Sequence, residues 1–112
     1  MQSYKLVIFS RPVDGREAEY NDWYDNVHVG DVLAVPGFMA CQRFKIANPE
    51  PSPKAFQYIA IYEIEASQPQ EAMARLAERA GTPAMKISDA LDSSTVGVFI
   101  VEPHGERRLK RS

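Results

Sequence analysis

Apolar and polar residues alternate along this chain in two different periods, and the changes of period mark its elements. Tyr4 to Ser10 is almost continuously β-branched, aromatic or aliphatic and is closed by Arg11-Pro12, which predicts an internal strand. From Glu17 the period changes. At about 100° per residue, Tyr20, Trp23, Tyr24 and Val27 gather on one side of a helix, His28 stands at its margin, and Glu19, Asp22, Asp25 and Asn26 take the other side. Asp14 caps this helix in the expected arrangement, with Glu17 as its reciprocal partner, and Gly30 stops it. Asp31 then caps one short turn before Pro36-Gly37. Phe38 to Ile46 reads as a second strand with Cys41, Arg43 and Lys45 on one side and Ala40, Gln42, Phe44 and Ile46 on the other. Pro49, Pro51 and Pro53 force a stiff loop. Phe56 to Ile64 is a third strand, apolar on both sides.

Ser67, Pro69 and Gln70 announce a second helix whose apolar stripe is Met73, Leu76, Ala77 and Ala80, ended by Gly81. Thr82-Pro83 starts a further short helix to about Leu91, and Thr95 to Val101 is the last strand. The order β-α-β-β-α-β is the α+β, ferredoxin-like pattern, a four-stranded antiparallel sheet with its helices on one face. The apolar residues on both sides of the third strand ask for a cover over the bare face, and a second copy of the sheet provides it, so a homodimer is expected. One domain spans 1–105, followed by a basic, solvated tail at 106–112 that carries Arg107, Arg108, Lys110 and Arg111.

A net charge of −2 gives no general attraction to nucleic acid. No apolar run approaches the roughly 20 residues that cross a bilayer, and the first residues lack the apolar block of a signal peptide. Cys41 has no second cysteine to pair with, which fits a reducing, cytoplasmic setting.

The strings Trp23-Tyr24-Asp25-Asn26-Val27-His28, Asp31-Val32-Leu33, Val35-Pro36-Gly37-Phe38 and Gln42-Arg43-Phe44 together resemble the dimeric α/β-barrel superfamily, most of all its EthD-like branch and related uncharacterised proteins. The resemblance covers residues 17–44 and implies two sheets packed face to face, with a pocket between sheet and helices in each protomer. The chemistry it implies ranges over cofactor-free monooxygenases, isomerases, cyclases and haem-binding dehydratases, so fold alone does not choose among them. The histidine at the end of the first helix carries over to His28. A second histidine inside the fold is missing, because His104 falls in the tail.

His28 is the one in-fold side chain that exchanges a proton easily at pH 7, and its alternative role is a cation at a helix C-terminus. Asp31 is its orienting partner, a second acid/base or only a cap. Tyr24 joins them as a catalytic candidate. Tyr20, Trp23, Arg43 and Tyr62 are candidates for binding a small hydrophobic or aromatic ligand, and the same rings would also serve as core. Arg43 either grips an anionic oxygen or pairs with an acid at the rim. Cys41 reads as a small buried hydrophobe. Neither a metal site nor a bound cofactor is called for. The expected function is a cofactor-independent isomerase, cyclase or lyase working through His28. The alternatives are a non-catalytic ligand-binding or accessory dimer, a cofactor-free monooxygenase and a haem-binding variant.

Overall fold

The computed structural model of the chain describes residues 2–111; Met1 and the final residue of the basic tail, Ser112, lie outside it. The strands are β1 (Gln2–Ser10), β2 (Phe38–Lys45), β3 (Tyr58–Ala66) and β4 (Gly97–Val101). They form one antiparallel sheet in the order β2-β3-β1-β4. A helical rod connects β1 to β2 and consists of α1 (Glu17–Trp23), a π-helical turn (Tyr24–His28) and α2 (Val29–Leu33). A second helix, α3 (Pro69–Arg79), connects β3 to β4. This is the ferredoxin-like α+β architecture.

Strand register explains what each face carries. Leu6 pairs with Tyr62 and Ile8 with Ala60, while Cys41 faces Tyr62 and Arg43 faces Ala60. These positions look towards the helices, and Cys41 and Arg43 share that side as the alternation in β2 predicts. The core between sheet and rod holds Leu6, Tyr20, Tyr24, Val32, Tyr58, Tyr62 and Ile64, all buried. The residues between them, Val7, Phe9, Ile59, Ile61 and Phe99, take the other face. Among the described residues, no helix covers that side. Phe44 and Phe99 are exposed there, and Phe9 makes ring contacts with Phe56 and Phe99.

Several local expectations give way to longer-range contacts. Asp14 does not cap α1: it pairs with Arg11 at 2.5 Å, Arg16 takes the N-cap position, and Glu17 turns to Tyr58 and Lys45. Gly30 does not stop the helix and Asp31 does not cap a new one. The rod runs on through both to Leu33, with the amide of Ala34 bonded to the Gly30 carbonyl. Val27 is exposed rather than buried with the aromatic face, because the π turn rotates it outward. In α3 the buried alanine is Ala72, whereas Ala77 and Ala80 are exposed; Gln68 rather than Ser67 precedes the helix, and no side chain caps it.

The helix expected from Thr82 to Leu91 is absent. The segment is a run of turns in which the Thr82 hydroxyl bonds the Arg79 carbonyl and the amides of Ala84 and Ala90 bond the hydroxyls of Thr82 and Ser88. Such side-chain bonds compete with the helical ladder. Bridges from Pro12 to Leu91 and from Ala80 to Met85 then fix the segment against β1 and α3. Residues 102–111 are exposed.

A candidate active-site cavity

The π turn decides where the site lies. In a regular α-helix, residues five apart stand about 140° from each other on the helix surface. One wider turn brings them onto the same side. Trp23 and His28 are such a pair, and their rings stack at 4.5 Å between centroids and 25° between planes. Tyr24 meets the same imidazole edge-on at 5.1 Å. Trp23 is anchored from the far side, its indole N–H donating to the Lys86 carbonyl at 3.1 Å. His28 is therefore held within the helix rather than at its end, and it is only 9 % exposed.

A cavity of about 170 Å³ opens beside these rings, between the sheet and the rod. Ile8 and Val98 form its sheet wall, Trp23, Tyr24, His28 and Val32 its helix wall, and Met85 and Leu91 of the turn segment its far side; it opens to solvent past the exposed Ile87 and Val96. Ser10 supplies a hydroxyl at one side, but that oxygen is shared with the Tyr20 hydroxyl at 2.6 Å. The walls are otherwise apolar. A larger open depression of about 530 Å³ runs past Lys5, Glu63, Glu65 and the start of the tail. It contains none of the candidate rings, so the smaller cavity is the one with chemistry beside it.

Burial pushes His28 down to about 4; nearby Asp31 opposes this shift and Arg43 adds to it. The imidazole is thus uncharged at pH 7. Its Nδ1 is sealed with no hydrogen-bond partner. Burial pushes the Tyr24 and Tyr62 hydroxyls well up, so both stay protonated, and it raises Tyr20 against the opposing bond from Ser10. The same cause raises the Cys41 thiol. For Arg43, burial works against the charge, yet the bond to Asp25 leaves the guanidinium raised.

The cavity thus brings together His28, Tyr24 and Trp23. Asp31 is half-buried and acts on His28 through its charge. Tyr20 and Tyr62 have no exposed surface; the Tyr62 hydroxyl is buried next to the Tyr24 hydroxyl and the Cys41 thiol. Arg43 lies behind the Tyr24 ring at 4.2 Å and donates to Asp25 at 2.6 Å and Asn21 at 2.9 Å. The rings of Tyr20 and Tyr58 complete its enclosure at 5.4 and 5.1 Å. Ser10, Met85, Leu91 and Val98 escaped the sequence reading as wall residues. Ser10 was in principle visible, since it is in phase with Leu6 and Ile8. The others reach the site only through long-range packing.

The histidine makes stability depend on pH. The unfolded chain protonates His28 near 6.5 and the folded chain near 4. Between these values the unfolded state binds more protons, so its contribution is complete above 6.5 and is lost as pH falls towards 4. At about 1.4 kcal/mol per pH unit the loss is on the order of 3 kcal/mol. Urea unfolding from pH 7 to pH 4 should show this slope in the native protein, and His28→Gln should lack that part of it.

Among the described residues, no group of three or more His, Cys, Asp or Glu side chains is placed to hold a metal ion, and no helix is long and apolar enough to cross a membrane. No protein-family model and no curated protein matches the sequence. Solved structures do match it. A hypothetical protein of Arabidopsis thaliana aligns with a TM-score of 0.65 at 18 % identity, covering 96 % of this chain and 94 % of its own. A dimeric ferredoxin-like protein of unknown function from Jannaschia gives 0.61 at 10 % identity, covering 90 % and 99 %. An EthD family protein from Bacillus halodurans gives 0.58 at 18 % identity, covering 93 % and 100 %. At these identities the likeness is one of fold: the chain shares the ferredoxin-like fold of these proteins, an EthD family member among them.

Proposed function

We propose that this protein is a cofactor-independent enzyme for a small apolar molecule, of isomerase, cyclase or lyase type, with His28 as the acid/base group of the cavity between sheet and rod. The observation that carries this reading is the position of His28: a buried imidazole, its Nδ1 without a hydrogen-bond partner, at the wall of a largely apolar cavity. A histidine kept only for helix-end electrostatics would be charged and wet. Asp31 supports any positive charge that develops on the ring, and the rings of Trp23 and Tyr24 fix the imidazole plane. Tyr20, Tyr62 and Arg43 back these groups. Arg43 and Tyr62 do so by packing the far side of Tyr24.

The test is turnover of a panel of enolisable ketones and lactones by native protein and by His28→Gln. The reading expects turnover in the native protein and a loss of about 100-fold or more in the variant, the usual weight of a positioned acid/base group. Equal rates would refute it. Binding without turnover in both would favour a non-catalytic ligand-binding protein, a reading supported by the scarcity of polar groups on the cavity walls.

The working unit in this proposal is a cytoplasmic homodimer closed over the outer sheet face, where Phe44, Phe99 and Val101 are exposed beside Ile59 and Ile61. The dimeric Jannaschia neighbour supports it. Sedimentation should give twice the 12.6 kDa chain mass, and Ile61→Lys, which buries an unpaired charge at the middle of the face, should shift the protein to monomer.

A further inference from the structure

We propose that the cavity selects an uncharged, single-ring carbonyl compound, held by a hydrogen bond from the Nε2–H of His28 to the carbonyl oxygen. The inference rests on the cavity being the active site and adds what that site accepts. Size comes first. An apolar cavity of about 150 Å³ is known to accommodate benzene, and this one measures about 170 Å³. One six-membered ring with a small substituent fills it.

Charge comes next. No lysine or arginine lines the walls. Arg43 is screened by the Tyr24 ring and is already paired with Asp25. A carboxylate would shed its water there and find no countercharge. The remaining polarity is that of His28. Nδ1 is the sealed nitrogen, which leaves Nε2 to meet a ligand. Buried N–H groups without acceptors are rarer in proteins than under-satisfied acceptors. The proton therefore belongs on Nε2, and the cavity wall presents a donor without an acceptor. Ser10 cannot serve as its partner while engaged with Tyr20. A carbonyl oxygen supplies the missing acceptor, whereas a plain hydrocarbon leaves the donor unmatched.

The test titrates the native protein with cyclohexanone, methylcyclohexane and cyclohexanecarboxylate. Binding is followed by the indole N–H resonance of Trp23, the one tryptophan in the sequence, and the imidazole tautomer is read by nitrogen NMR of His28. The expected result is the Nε2–H tautomer, cyclohexanone binding about tenfold tighter than methylcyclohexane, and no binding of the carboxylate. His28→Leu should erase the preference for the ketone. His28→Gln should keep it, since a carboxamide N–H can stand in for Nε2–H without titrating. Equal affinity for ketone and hydrocarbon, an Nδ1–H tautomer, or preferred binding of the carboxylate would overturn the inference and leave the cavity as a binding site. A Trp23 resonance unmoved by all three compounds would overturn both the inference and the assignment of the active site.

Discussion

Trp23→Ala is expected to lower the unfolding free energy by about 3–5 kcal/mol, the range for removing a buried large aromatic, and to move the His28 midpoint up from about 4 towards its ordinary value. Both effects have one cause. Trp23 is 9 % exposed, packs against the rings of Tyr20, Tyr24 and His28, and ties the rod to the turn segment through Lys86. Its removal leaves a void next to an existing cavity and admits water to the imidazole. Hydrated, the charged form of His28 is no longer disfavoured. Urea unfolding and an NMR titration of the variant measure the two effects. A stable variant with an unmoved midpoint would show that the stack does not shield the histidine.

Arg11→Met is expected to cost about 2 kcal/mol, the scale for losing hydrogen bonds from a charged donor. Arg11 is 4 % exposed at the end of β1. Its guanidinium donates to the carbonyls of Pro53 and Ala55 and to Asp14, and it lies 3.6 Å from Asp92. It therefore fastens the proline-rich loop and the turn before β4 to the strand that carries Ser10. Methionine fills much of the volume but leaves the Pro53 and Ala55 carbonyls without that donor, while Asp92 keeps Ser94 and Lys54 and the exposed Asp14 turns to water. Arg11→Lys should recover only part of the loss, because a single ammonium cannot reach several acceptors in a fork. Equilibrium unfolding of the two variants decides this; a change below about 0.5 kcal/mol in Arg11→Met, the range of ordinary surface substitutions, would contradict the role.

Arg11 also shows where sequence reading ends. Next to Pro12 it looks like the end of a strand, and nothing local reveals that loops some forty and eighty residues away converge on it. Where one period governs a whole segment, the sequence was readable. The alternation in β2 put Cys41 and Arg43 on one side of the strand, and the aromatic spacing put Tyr20, Trp23 and Tyr24 on one side of the helix. The wider turn at Tyr24–His28 breaks the assumed 3.6-residue period, so the position of Val27 was misjudged and the stacking of Trp23 on His28 was invisible. Gly30 and Asp31 carry the usual marks of a helix end, but the packing of Val32 and Val35 in the core draws the rod onward. Thr82-Pro83 carries the marks of a helix start, yet bridges to Pro12 and Ala80 hold the segment as turns. Of the candidate site, the rings and His28 were legible. The opposite walls were not, because Met85, Leu91 and Val98 arrive from a segment whose path is set by tertiary contacts.

The most direct test of the account is an NMR titration of the His28 imidazole in the native protein. A buried, uncharged histidine at the wall of an apolar cavity should protonate at about pH 4. A midpoint near 6.5 would place the ring in water, and would remove both the cavity chemistry and the selectivity built upon it.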